Sequence, residues 1–125
     1  MSDTIRKLPD SELEVMQVIW SLPIPAPRTA IEEAMQQIHP IAQTTLLTLL
    51  TRLAGKNFIS IEKRGRSSEY TALISKDEYL AAQSRSFLDQ LCGGKLSVFA
   101  AALSGSGLSK EDLDELRAML DEDRL

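Results

Sequence analysis

The sequence predicts a mainly α-helical fold with one small β-hairpin, and three observations predict it. Leu46, Leu49, Leu50 and Leu53 recur at i, i+3, i+4 and i+7, the spacing of a single buried helix face. FISIEK at 58–63 and SEYTAL at 68–73 are short strand-like runs on either side of RGRS, a glycine-containing turn flanked by charge. Beyond residue 74, three more apolar stripes follow at helical spacing, separated by glycines.

The composition bounds the answer before any element is placed. A chain of 125 residues is one domain, or a small domain with an appended element. With 43% hydrophobic and 26% charged residues it reads as globular. No run approaches the ~18 apolar residues of a membrane span, and the first twenty lack the apolar core of a signal peptide. The expectation is a cytoplasmic protein with no direct membrane binding. Cys92 is the single cysteine, which excludes an internal disulfide and a cysteine metal cluster. It closes the apolar run SRSFLDQLC and is expected to be buried. His39 is the single histidine, in a His-Pro pair, and there is no glycine-rich phosphate loop. Neither a catalytic constellation, a metal site nor a cofactor is predicted, and the acidic residues Asp114, Glu115, Asp121, Glu122 and Asp123 read as solvating charge on a helix.

A formal net charge of −4 argues against a nucleic-acid partner until it is divided along the chain. Residues 1–74 hold eight basic and eight acidic side chains, whereas residues 75–125 hold six and ten. Within 52–66, Arg52, Lys56, Lys63, Arg64 and Arg66 face only Glu62. Positive charge is therefore concentrated at the end of the leucine-striped helix and in the hairpin.

Taken in order, residues 1–7 read as a mobile start. Asp10 is the expected N-cap of a first helix that buries Leu13, Met16, Ile19 and Trp20. SLPIPAP follows, and its three prolines favour an extended connection. Thr29 and Glu32 have capping-box spacing for a second helix, with Ile31, Ala34, Met35 and Ile38 inside and His39-Pro40 at its end. A few residues later comes QTTLLTLLTRLAGK at 43–56, completing a helix-turn-helix. Its outward side carries Thr44, Thr45, Thr48, Thr51 and Arg52. Threonine is a mediocre helix former, but its short side chain can approach a base edge or a phosphate and offer a methyl to thymine. By itself this stretch leaves open a recognition helix or an ordinary amphipathic helix with solvated threonines.

Asn57 suits the left-handed residue that ends a helix. The hairpin then presents Lys63, Arg64 and Arg66 around its tip, either as a solvated loop or as a phosphate-seeking wing. A helix-turn-helix followed directly by such a hairpin is the winged-helix layout, with the recognition helix in the major groove and the wing on the backbone. The predicted organisation is a winged helix-turn-helix over residues 1–74 as a DNA-binding domain, followed by a helical dimerisation region over 75–125.

In that second region Tyr79, Leu80, Gln83, Phe87, Leu88 and Leu91 form one stripe and Leu96, Phe99 and Leu103 another, before a flexible SGSG at 104–107. Ser109 opens the last helix, with Leu113, Leu116 and Leu120 inside. About fifty residues do not readily close a core alone. The simplest partner is a second copy, so Leu80, Phe87, Leu88, Leu91, Phe99, Leu103, Leu113, Leu116 and Leu120 are the expected dimerisation residues of a homodimer. Folding back on the first domain in a monomer is the alternative.

Together DSELEVMQVIW, the T-x-x-T-L-L-x-R-L pattern at 45–53, the GRSSEY wing and LSKEDLDELRAML resemble the BlaI/MecI penicillinase-repressor family, over nearly the full length. The resemblance implies a homodimeric winged-helix repressor on an inverted-repeat, double-stranded DNA operator. In antibiotic-resistance members a membrane sensor protease lies upstream, and release ends in cleavage within the dimerisation region. Carried over by position, Thr44, Thr45, Leu47 and Thr48 face the bases and Arg52 lies beside the backbone. Leu47 stands where resistance repressors carry a basic residue, Ala42 where a serine caps the recognition helix, and Asn57 where glycine is usual. The scissile Asn-Phe pair falls at Ala101-Ala102, which argues against that cleavage, and the cysteine cluster of the copper-responsive branch is absent. A second reading keeps the winged helix as a protein-interaction module without specific DNA binding, consistent with the modest charge of residues 1–74.

Overall fold

The computed structural model describes residues 5–122. The chain forms two compact units that divide between Gln83 and Ser84.

Helix α1 (Asp10–Ser21) buries Val15, Met16, Val18 and Ile19. Its N-cap is Pro9 with no side-chain cap, so Asp10 is not the cap; it is the first helical residue, where a carboxylate complements the helix dipole. Of the expected mobile start, residues 1–4 lie outside the described residues. Ile5 packs against the core, and the buried Leu8 donates its backbone N–H to the Tyr79 hydroxyl at 2.9 Å.

The proline-rich connection contains a strand that periodicity does not reveal. β1 (Ala26–Pro27) pairs antiparallel with β3 (Ser67–Ala72), which in turn pairs with β2 (Ile59–Arg64), giving the sheet order β1-β3-β2. Proline is tolerated because β1 is an edge strand. Helix α2 (Arg28–Ile38) starts immediately after β1, one residue before Thr29, with Pro27 as its N-cap. The expected Thr29–Glu32 capping box therefore does not form, and Glu32 Oε2 lies 3.5 Å from Arg28 Nε instead. Ile31 and Met35 are buried and Ala34 partly so, but Ile38, at the helix end, is exposed.

Helix α3 (Gln43–Gly55) buries Leu46, Leu49, Leu50 and Leu53, as the stripe predicts. Each buried leucine contributes about 1.5–3 kcal/mol relative to an exposed one. Asn57 has φ 64°, and the Asn57 and Phe58 N–H groups donate to the Ala54 and Leu53 carbonyls, both at 3.0 Å. That double bond pattern is a Schellman motif, and its apolar contact is supplied by the buried Leu53 and Phe58. Ala42 offers no side-chain cap at the other end.

The hairpin register pairs Arg64 with Ser67, leaving Gly65 and Arg66 as a two-residue loop. Gly65 has φ 66° and Arg66 no positive φ, the pattern of a type II′ turn.

Helix α4 (Lys76–Leu91) opens with a reciprocal cap: Glu78 N–H donates to Ser75 Oγ at 3.0 Å and Ser75 N–H to Glu78 Oε1 at 2.8 Å. Its first turns belong to the first unit. The Tyr79 ring centroid lies 5.7 Å from Trp20 and 5.9 Å from Phe58, and Trp20 Nε1 donates to the Ile74 carbonyl at 2.9 Å. Trp20 is thus half-buried with its polar edge satisfied. Packing consequently divides α4 itself, nine residues beyond the change of character that the sequence shows after residue 74.

In the second unit, α5 (Leu96–Gly105) and α6 (Lys110–Asp121) follow, the latter with a Ser109–Asp112 capping box. Half of the expected flexible SGSG lies in helix: Ser104 and Gly105 belong to α5. Phe87 and Phe99 meet edge to face at 5.7 Å, and Cys92 is buried and unbridged. Leu120, expected inside, is 58% exposed in the single chain.

Candidate nucleic-acid interface

The first unit presents one helix face backed by leucine and one charged hairpin tip. On α3, the four buried leucines fix which side turns outward, and Thr44, Thr45, Thr48, Thr51 and Arg52 are all exposed. Leu47 is half-buried and packs against the core, so only part of its side chain is available outside. The turn ahead of α3 is braced from two sides: Gln36 Nε2 donates to the Ile41 carbonyl at 3.3 Å, and His39 Nδ1 lies 2.8 Å from Glu14 Oε1 on α1.

The threonine hydroxyls fall into two kinds. Thr48 Oγ1 donates to the Thr44 carbonyl at 3.0 Å and Thr51 Oγ1 to the Leu47 carbonyl at 2.9 Å. Those of Thr44 and Thr45 engage no other group among the described residues. The first turn of α3 therefore carries unspent hydroxyl donors beside the orphan N–H groups of a helix start.

Not all of the positive charge counted along the sequence is available. Lys56, at the C-cap of α3, is 2.5 Å from Glu12 Oε1, and Glu12 is only 2% exposed. Its role is to hold the end of α3 against α1, since removing either member of a buried pair typically costs about 3–5 kcal/mol. Periodicity missed Glu12, because a carboxylate on a buried face has no signal without its partner. On the hairpin, Arg64 Nε is 3.2 Å from Glu69 Oε1 on the neighbouring strand, though Arg64 stays largely exposed. Glu69 directly opposes Glu62 in the register, an unfavourable pair that the Arg64 contact offsets. Arg52, Lys63 and Arg66 have no carboxylate partner among the described residues and are exposed. Strand alternation sends Lys63 to the face of Ile59 and Arg64 to the other, so the tip carries cations on both faces.

The predicted dimerisation residues divide by exposure. Leu88, Phe99, Leu103, Leu113 and Leu116 are half-buried within the chain, whereas Leu80, Phe87, Leu91 and Leu120 are exposed, joined by Leu96, which periodicity placed on a stripe. Among the described residues no helix is long and apolar enough to cross a membrane.

Comparison with known proteins covers almost the whole chain. A family model described as Penicillinase repressor matches residues 8–122. The Penicillinase repressor of Bacillus licheniformis is 34% identical over 119 residues, spanning 94% of this chain and 92% of its own length. The Methicillin resistance regulatory protein MecI of Staphylococcus aureus (strain N315) is 28% identical over 121 residues, 96% of this chain and 98% of its own. Among solved structures, the monomeric form of Bacillus licheniformis BlaI, in complex with the blaP half-operator, aligns with a TM-score of 0.51 and 31% identity. That alignment covers 60% of this chain and 90% of the other.

Proposed function

This chain belongs to the penicillinase repressor family, whose members are DNA-binding transcriptional repressors, and from that premise we propose how its two units share the work. The chain is a sequence-specific DNA-binding repressor; its first unit reads a half-site, and its second unit pairs two copies on an inverted-repeat operator in the cytoplasm. One observation carries the reading: between Gln43 and Gly55 at its ends, every exposed residue of α3 is a threonine or an arginine, with Leu47 half-buried beside them, and nothing among the described residues of the first unit covers that face. Thr44, Thr45, Leu47 and Thr48 face bases, while Arg52, Lys63, Arg64 and Arg66 hold phosphates. Dimerisation is supported by the large apolar side chains that the second unit leaves in solvent.

Release follows a signal from upstream, for which a membrane sensor protease is the family's device. Ala101 and Ala102 are exposed but lie inside α5, where a protease that binds extended chain reaches the bond only after the helix opens.

Selection of duplexes from a randomised pool with the full chain tests the proposal. The expected result is a motif with dyad symmetry and half-sites about one helical turn, roughly 34–36 Å, apart. Enrichment of no motif would leave a winged helix used for protein contacts.

A further inference from the structure

We propose that Thr48 and Thr51 read the operator through their methyl groups, against the C5-methyl of thymine, so that Thr51 joins the base-reading residues. The proposal rests on the DNA-binding reading above and names what that helix face recognises.

At about 100° per residue, Thr44, Thr48, Thr51 and Gly55 lie within roughly 30° of the line opposite the buried leucine stripe, whereas Thr45 is about 90° from it. Thr51 therefore stands more centrally on the outward face than Thr45 does. A threonine hydroxyl has one proton to give. Thr48 and Thr51 have given theirs to the carbonyls of Thr44 and Leu47. Donating to a base or a phosphate would break a bond inside the helix, so what each presents outward is a methyl group and oxygen lone pairs. Leu47 sits one turn before Thr51 and is half-exposed, which extends the methyl surface into an apolar strip. An apolar strip on a groove-facing helix matches the thymine methyl, the one apolar feature of the major-groove edge. Thr44 and Thr45, with unspent hydroxyls, are left to make the hydrogen bonds.

The test uses the full chain and the duplex it selects from a random pool, with each thymine replaced in turn by deoxyuridine, which deletes only the methyl. At one or two positions per half-site the replacement is expected to weaken binding about fourfold, the equivalent of one lost methyl contact. Thr48→Val and Thr51→Val keep the methyl and should retain the thymine preference; Thr48→Ser and Thr51→Ser delete it and should erase the preference at the matching position. Both pairs lie on an exposed face, and circular dichroism melting checks that they fold alike. Deoxyuridine without effect anywhere overturns the proposal, as does a preference that survives in the serine variants or vanishes in the valine ones. Failure to select any motif removes the underlying DNA-reading role as well, an outcome distinct from a motif that ignores the methyl.

Discussion

The two units treat their apolar residues in opposite ways. Among the described residues, every buried hydrophobic side chain except Cys92 lies in the first unit, where α1, α2, α3, the sheet and the first turns of α4 close over one another. The second unit holds Leu91 at 73%, Leu96 at 71% and Leu120 at 58% exposure. A core that is complete in one chain frees its unit to spend an outward helix face on threonine. A unit whose leucines face water fits the proposed pairing with a second copy, and two-fold pairing is the form that an inverted-repeat operator would require.

The largest effect should come from the unfinished side. Leu91→Glu combined with Leu96→Glu changes residues that are exposed in the chain, so the fold should survive while pairing is lost. Sedimentation velocity should then show a monomer, and affinity for a full palindrome should fall by about two to four orders of magnitude while half-site binding stays unchanged. Within the finished core, Leu53→Ala should cost about 2–5 kcal/mol in urea unfolding. That cost should not depend on protein concentration, whereas the cost of Leu116→Ala should, if the second unit is stabilised by association. Concentration-independence of both would remove the distinction between the units. At the wing, Arg66→Ala or Lys63→Ala should each lower the slope of log affinity against log salt by about 1. Arg64→Ala should lower it less, because Glu69 already shares that charge. The smallest effect belongs to Ala42→Ser: Ala42 has the extended φ −66°, ψ 148° of a cap residue but no side-chain acceptor, and serine there should add about 1 kcal/mol in thermal or urea unfolding.

Legibility in the sequence follows the range of the interactions. The leucine stripe of α3, the Asn57 turn and the basic hairpin tip are set within a few residues, and the structure places them where spacing indicates. Capping motifs are only partly legible. Ser109 opens its helix as expected, with Asp112 as its reciprocal partner, but Asp10 does not cap α1, and Thr29–Glu32 does not form its box, because pairing of β1 with β3 fixes the chain so that α2 begins at Arg28; the reciprocal Ser75–Glu78 cap emerges only in the structure. β1 itself was hidden, since two residues beside proline become a strand only when Tyr70 and Glu69 arrive beside them. Glu12 and Lys56 are 44 residues apart, and nothing local marks them as partners. That pair makes one of the cations counted at the end of α3 an anchor for the helix. Ile38 misled in a simpler way: it continues a stripe past the end of what its helix packs against.

The division of labour between the units is tested most directly by native mass spectrometry of the full chain on three duplexes: the selected palindrome, a single half-site and a scrambled sequence. Two chains on the palindrome, one on the half-site and neither on the scrambled duplex at matched concentration is the predicted result. One chain on each duplex, or equal occupancy of palindrome and scrambled DNA, would contradict it.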